Sequence, residues 1–270
     1  MSPTSTTTVT SATSGHVEVT IADQGEGHPF LLLHGGAGPQ SVARFADLLA
    51  ASEPARVVTP THPGFGGTPR PERLASIKAL AEVYAGLLDE LDLSDVSVVG
   101  NSIGGWIAAE LALLHSPRVS SVVLVDAGGL EIPEHPAPDV FTMDLNQITN
   151  LSYFNPDAFR IDLSKVPDAQ KAVIAANRAA LQTYGGAALC DPTLLHRLPA
   201  IGTPTLVVWG AADRMIPLGH GEAYARAIPG AQLQVIAEAG HLPQLETAEQ
   251  LAGLLWSFAE AHSVARKSQA

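Results

Sequence analysis

The sequence predicts a doubly wound α/β fold on a mostly parallel sheet, and three features of its patterning predict it. Short β-rich runs, most of them nearly continuous Val, Leu and Ile, recur along the chain. Such runs mean burial on both faces, as a parallel strand between two helix layers requires. Segments with helical apolar spacing fall between them, the alternation that sets parallel strands beside crossover helices. One long stretch, from about 131 to 198, has no strong strand and is too long for a plain loop.

Taken in order, strands are predicted over 16–21, 30–33, 56–59, 96–99, 122–125, 205–209 and 233–236. Helices are predicted over 41–50, 76–91, 103–115, 221–228 and 247–262. The second of these places Ile77, Leu80, Val83, Tyr84, Leu87, Leu88 and Leu91 on one stripe. The third is apolar nearly all round, which marks a central, buried helix. The stretch that breaks the rhythm opens with Pro133, Pro136 and Pro138. Helical patches follow near 139–151 and 169–183, and Tyr184-Gly185-Gly186 ends the second. It reads as a helical cap over the strand ends, 131–198, inserted in a core domain made of 16–130 and 199–265. Residues 1–15, rich in Ser and Thr without a positive n-region or an apolar h-region, read as a disordered tail rather than a signal peptide.

The 270 residues suffice for a sizeable core, and the apolar share of 46% with 16% charged residues is that of an ordinary soluble protein. The net charge of −12 and the lack of a long basic run argue against nucleic acid and anionic membrane as partners. Cys190 is the single cysteine, so the chain has no internal disulfide and no CxxC metal pair. Its flanks suggest a small buried hydrophobe. No apolar stretch is long enough to cross a bilayer. The expectation is a cytoplasmic monomer or homodimer acting on a small molecule, with no metal and no organic cofactor.

Gly100-Asn101-Ser102-Ile103-Gly104 lies between the strand at 96–99 and the helix that starts at 103. This is G-x-S-x-G in the strand–turn–helix setting that a nucleophilic serine needs. A sharp turn forces the serine into strained backbone angles, while Gly100 and Gly104 let strand and helix approach without a Cβ between them. The hydroxyl then stands clear of the sheet edge. The N–H of Ile103, at a helix N-terminus, faces the same space and suits an oxyanion. By itself the pattern fits a helix-capping serine equally well.

A serine hydroxyl needs a base, and the base needs an orienting carboxylate. Of ten histidines, His241 in Ala239-Gly240-His241 follows a strand at the edge of the sheet where Ser102 lies. Asp213 follows the strand at 205–209 and gives the order Ser…Asp…His. Asp126, ending the strand at 122–125, is the rival acid, expected instead to bond backbone in its own turn. Glu238 is a third contender, close along the chain to His241. A second oxyanion donor is expected from His34-Gly35-Gly36-Ala37-Gly38-Pro39, with Gly36 first and Ala37 next. His34 itself is expected to tie down that loop.

Together these residues resemble the α/β-hydrolase superfamily. The matching motifs are Leu33-His34-Gly35-Gly36, His62-Pro63-Gly64-Phe65-Gly66, Gly100-Asn101-Ser102-Ile103-Gly104-Gly105, Gly210-Ala211-Ala212-Asp213 with Ile216-Pro217, and Gly240-His241. The resemblance implies the α/β-hydrolase fold, with a sheet of about eight strands, a helical cap and a serine nucleophile. Ser102 sets the chain apart from the haloalkane dehalogenases and epoxide hydrolases of this fold, which use an aspartate. The elbow is similar to that of the meta-cleavage-product hydrolases, which cut carbon–carbon bonds. Those enzymes commonly carry Trp after the histidine and an HGGGPG loop; here Leu242-Pro243 follows His241, as in many esterases, and the loop has fewer glycines. The usual Asp before Pro-Gly-Phe-Gly is replaced by Thr61-His62.

The resemblance therefore implies first a serine hydrolase that cleaves a carboxylic ester or related acyl bond of a small, largely apolar substrate. Carbon–carbon hydrolysis is the alternative, and a small-molecule receptor, a lyase or a cofactor-free oxidative enzyme stays open. The catalytic candidates are Ser102, His241 and Asp213, with the N–H groups of Gly36 and Ile103 as the oxyanion hole. Ala37, Trp106, Met143, Tyr153, Phe154 and Leu242 are candidates to line the substrate site. Arg160, Arg178 and Arg197 are candidates to bind a substrate carboxylate.

Overall fold

The computed structural model describes residues 4–264. Among them, eight strands form one sheet: β1 (Thr4–Ser11), β2 (Gly15–Gly25), β3 (His28–Leu33), β4 (Ala55–Thr61), β5 (Val96–Asn101), β6 (Val119–Val125), β7 (Thr205–Gly210) and β8 (Gln232–Ile236). Their spatial order is β1-β2-β4-β3-β5-β6-β7-β8. β2 pairs antiparallel with β1 and with β4, and every later pairing is parallel.

The helices are α1 (Gln40–Ser52), α2 (Ile77–Glu90), α3 (Ile103–Leu113), α4 (Leu145–Ser152), α5 (Asp168–Gly185), α6 (Leu194–Arg197), α7 (Leu218–Ala227), α8 (Pro243–Glu246) and α9 (Ala248–His262). Strand alternation sorts the core into two layers. Leu31 and Leu33 of β3, Val122 and Leu124 of β6, and Val207 and Trp209 of β7 pack with α2, α3 and α7. Phe30 and Leu32, Val123 and Val125, and Leu206 and Val208 face the other way, toward α1 and α9. This double burial is the physical reason that these strands read as unbroken apolar runs. No helix among the described residues is long and apolar enough to cross a membrane.

The amino-terminal expectation is corrected. Residues 4–11 are not a tail but β1, paired with β2 from Thr4↔Ala22 to Ser11↔Gly15. Val9 is fully buried and Thr13 bonds Glu82 of α2. Ser/Thr richness suggested disorder, yet threonine is β-branched and suits an edge strand. Residues 1–3 and residue 265, at the ends of the expected segments, lie outside the described residues.

Between β6 and β7 the chain makes α4, α5 and α6 with short 3-10 turns at Val140–Thr142, Pro156–Phe159 and Leu163–Lys165. Asp144 caps α4 with a capping box closed by Gln147. Late in this insertion an isolated bridge joins Cys190 to Gly129, outside the eight strands; Cys190 is half-buried rather than buried.

Candidate active site

Ser102 occupies the turn from β5 to α3 with φ 59° and ψ −120°, in the left-handed half of backbone space. Non-glycine residues sit there only when their surroundings hold them. Ser102 N–H donates to Val125 O at 3.0 Å, and Ser102 O accepts from Trp106 and Gly128. The flanking glycines permit the close approach. A Cβ on Gly100 would come within 2.1 Å of Gly104 O, and one on Gly104 within 2.3 Å of Leu33 O.

Asp213 and His241 follow β7 and β8, and Ser102 follows β5, so all three stand at the carboxyl ends of parallel strands. His241 Nδ1 lies 2.8 Å from Asp213 Oδ2, with both side chains buried. The other oxygen, Asp213 Oδ1, accepts from the N–H groups of Met215 and Ile216 at 2.8 and 2.9 Å. With Nδ1–H donated to the carboxylate, Nε2 of the neutral ring is the acceptor that a general base requires. Asn101, next to Ser102, donates from Nδ2 to His241 O at 2.9 Å, which sets the histidine loop against the serine turn. Ser102 Oγ makes no hydrogen bond to a described residue; such contacts often tighten only with substrate bound. Asp126 bonds Gly210 N–H of β7 rather than its own turn. Glu238 is exposed.

The loop after β3 lies against the same turn. A Cβ on Gly35 would reach Ser102 Cβ at 3.1 Å. The N–H groups of Gly36 and Ile103 have no acceptor among the described residues. Two fully buried histidines hold this loop, and their protons can be placed one by one. His34 Nδ1 faces Gly35 O at 2.7 Å, so it donates. His34 Nε2 then accepts from His62 N–H at 3.1 Å. His62 Nε2 faces His34 O at 2.9 Å and donates, so its Nδ1 accepts from the Tyr84 hydroxyl. Burial holds the His34 pKa well below the ordinary histidine value and the adjacent His62 lowers it further. Burial lowers His62 to about 4 and pushes the Tyr84 phenol well up. Both rings are neutral and serve as spacers. This is what Thr61-His62 does in place of the familiar aspartate.

The insertion touches this base at several points. Asn177 of α5 donates to Ala37 O at 3.2 Å and accepts from Gly66 N–H at 2.8 Å. Tyr184 donates to Pro63 O, and Leu181 lies over Gly36. His241 N–H donates to Ser152 O at the end of α4. Glu246 collects the N–H groups of Phe154, Asn155 and Gly240.

The substrate-site candidates scatter. Leu242 is buried beside His241, and Met143 and Tyr153 are half-buried in the insertion, Tyr153 stacked on Phe159 at 4.2 Å. Trp106 belongs to the main core, packed against Gly129. Ala37 is exposed, and Phe154 is 49% exposed, which does not suit a wall of an enclosed pocket. Among the arginines, Arg197 is neutralised by Glu110 and Asp191, and Arg160 by Asp157. Arg178 instead donates to the carbonyls of Val140 and Met143.

Sequence reasoning missed Asn101, Asn177, Gln244 and Glu246 as organisers of the site. Asn177 left a signal: it interrupts the stripe Ile174, Leu181, Tyr184 at helical spacing, where a polar side chain needs a buried partner. Gln244, which donates to Asn101 Oδ1, and Glu246, which accepts from Phe154 and Asn155, left none, because those partners are distant in the chain.

Comparison with known proteins agrees with this architecture. A family model described as the Alpha/beta hydrolase family matches residues 30–254. A 2-hydroxymuconate semialdehyde hydrolase from Pseudomonas putida is 34% identical over 88% of this chain and 89% of its own length. A 2-hydroxy-6-oxo-6-phenylhexa-2,4-dienoate hydrolase from Burkholderia cepacia is 30% identical over 88% of this chain and 90% of its own. Among solved structures, a thermophilic esterase from Thermogutta terrifontis superposes with a TM-score of 0.77 at 26% identity, covering 96% of this chain and all of the other. A match over residues 30–254, joined to an eight-stranded, mostly parallel sheet, leaves one assignment: the chain belongs to the α/β-hydrolase family and is a hydrolase.

Proposed function

We propose that the protein is a serine hydrolase whose Ser102, His241 and Asp213 attack a carbonyl carbon, and that its substrate is a small 2-hydroxy-6-oxo-dienoate cleaved at a carbon–carbon bond. The 34% identity across nearly the whole of a 2-hydroxymuconate semialdehyde hydrolase carries the choice of substrate. The Asp213–His241 contact supports the chemistry. In this reading His241 Nε2 takes the Ser102 proton as the oxygen attacks. Asp213 holds the ring and stabilises the imidazolium. The N–H groups of Gly36 and Ile103 receive the developing oxyanion. A carbon leaving group needs an electron sink. A 2-hydroxy-dienoate supplies one once its enol proton has moved to C5, because the departing C5 carbanion is then conjugated with the 2-oxo group; the protonated His241 returns a proton to it, and water releases the acyl group from Ser102. An alkoxide leaving group needs no such sink. The insertion acts as the cap that closes the site, and Arg178, bonded to carbonyls rather than to a carboxylate, is its candidate partner for the substrate carboxylate.

Ester cleavage is the second reading. It is favoured by Leu242 after His241 and by the superposition on the Thermogutta terrifontis esterase. The two separate in parallel assays of the purified protein on 2-hydroxymuconate semialdehyde and on p-nitrophenyl esters, with Ser102→Ala as control. Loss of the dienoate chromophore, abolished in Ser102→Ala, is the expected result. Turnover of esters alone selects the second reading. Activity that survives Ser102→Ala overturns both.

A further inference from the structure

Asp126 directly follows β6, in the left-handed region at φ 45°, and is fully buried. Its backbone N–H donates to Val208 O, and its Oδ1 accepts from Gly210 N–H at 2.9 Å. Its second oxygen, Oδ2, is buried with no conventional donor facing it. Polar atoms of Asp126, Asp213 and His241 lie within 4.8 Å of one another, and the Asp126 and Asp213 side chains are in hydrogen-bonding reach. Two buried carboxylates this close do not both ionise; one keeps a proton.

The hydrogen bonds decide which. Asp213 accepts three donors, the N–H groups of Met215 and Ile216 and His241 Nδ1. Asp126 accepts one, from Gly210. Negative charge is therefore better held at Asp213, and the orphan Oδ2 of Asp126 is explained if it carries the proton. We propose that Asp126 is a positioning residue: its Oδ2–H donates a hydrogen bond to Asp213 and holds that carboxylate against His241. Burial, then the charge of Asp213, pushes the Asp126 pKa well above the usual carboxylate range, which agrees with this proton.

Two other titratable groups face the pair, and neither supplies the missing donor. Glu246 adds negative charge toward Asp126, its own oxygens filled by three backbone N–H groups. His220 feels Asp213, yet its Nε2 bonds His135 O and burial lowers its pKa, so the ring is neutral.

This inference rests on the triad reading for its meaning in catalysis, but the proton can be tested without turnover. Infrared difference spectra of the full-length protein, wild type against Asp126→Asn at neutral pH, should show the carbonyl stretch of one protonated carboxylic acid in the wild type alone. Absence of that band overturns the proposal. Ser102→Ala should keep the band while losing activity, so failure of the triad reading, seen as activity in Ser102→Ala, is distinct from failure of this one. In kinetics, Asp126→Ala should lower kcat about tenfold to hundredfold at similar KM, the usual consequence of a buried hydrogen bond unmade. Asp126→Asn, whose amide can donate in the same place, should recover most of that loss. The low-field His241 Nδ1–H resonance should move in Asp126→Ala and return toward its position in Asp126→Asn. Equal impairment of the two variants, or full activity in Asp126→Ala, overturns the positioning role; if Asp126→Ala does not fold, the infrared band and Asp126→Asn decide.

Discussion

His241 and the pair His34–His62 are all buried beside the Ser102 turn, yet their partners differ in kind. His241 faces a carboxylate at 2.8 Å, and its second nitrogen is left to accept a proton. His34 and His62 face two carbonyls, one N–H and one phenol, each ring nitrogen already assigned. The same side chain is thus a candidate base in one network and a neutral strut in the other. The difference teaches that burial alone does not make a histidine catalytic. A buried imidazolium needs a negative partner, and among the described partners of these three rings only Asp213 is one.

The sharpest way to break this comparison is to remove each histidine and ask what fails. His241→Ala should lower kcat by roughly 10⁴-fold or more, a larger effect than any loss of stability explains. A loss of stability with kcat retained would make His241 the strut.

The next largest effect is a pH dependence of stability. The unfolded His62 titrates near 6.5 and the folded one at about 4. Between those values the unfolded chain binds more protons. Stability is therefore full above about pH 6.5, falls as pH drops through the window, and levels below the folded pKa. At about 1.4 kcal/mol per unit the window costs about 3 kcal/mol. His34, whose pKa shifts the same way, adds to the trend. Urea unfolding of wild type and His62→Gln across this range should show the wild type losing about 3 kcal/mol more. Identical slopes would mean that His62 is not held neutral.

A smaller effect is expected where the insertion is tied to the base. Asn177→Leu unmakes the bonds to Ala37 O and Gly66 N–H and should cost about 1–3 kcal/mol. Amide exchange should quicken first at Gly66 and the loop after β3. The smallest belongs to the exposed Lys171–Asp168 pair on α5. Lys171→Ala should change stability by less than about 0.5 kcal/mol, since solvent screens such pairs.

Much of the candidate site is legible in the sequence. Ser102 was marked by its glycines, and Asp213 and His241 by their places just past apolar strands. What stayed illegible lies in partners distant along the chain. Asp126 read as a local turn residue because nothing in Val125-Asp126-Ala127 shows that its carboxyl meets Gly210 across the sheet. The role of Thr61-His62 is not legible locally because Tyr84, the partner of His62, sits on a helix stripe that looks wholly apolar. The amino terminus was misread for a related reason: a threonine-rich edge strand gains its order from pairing with β2, which composition does not carry.

The sequence by itself determined the layers of the fold, the strained turn at Ser102 and the residue types available for acid–base work, because periodicity and glycine placement act through local sterics. Tertiary structure alone decided which buried titratable groups face a carboxylate, which face only carbonyls, N–H groups and a phenol, and which present an oxygen to no conventional donor. Those pairings depend on distances of a few ångströms between segments far apart in the chain, the ends of β3, β4 and α2 around His34 and His62 and the ends of β7 and β8 around Asp213 and His241, and such distances exist only once the fold is assembled.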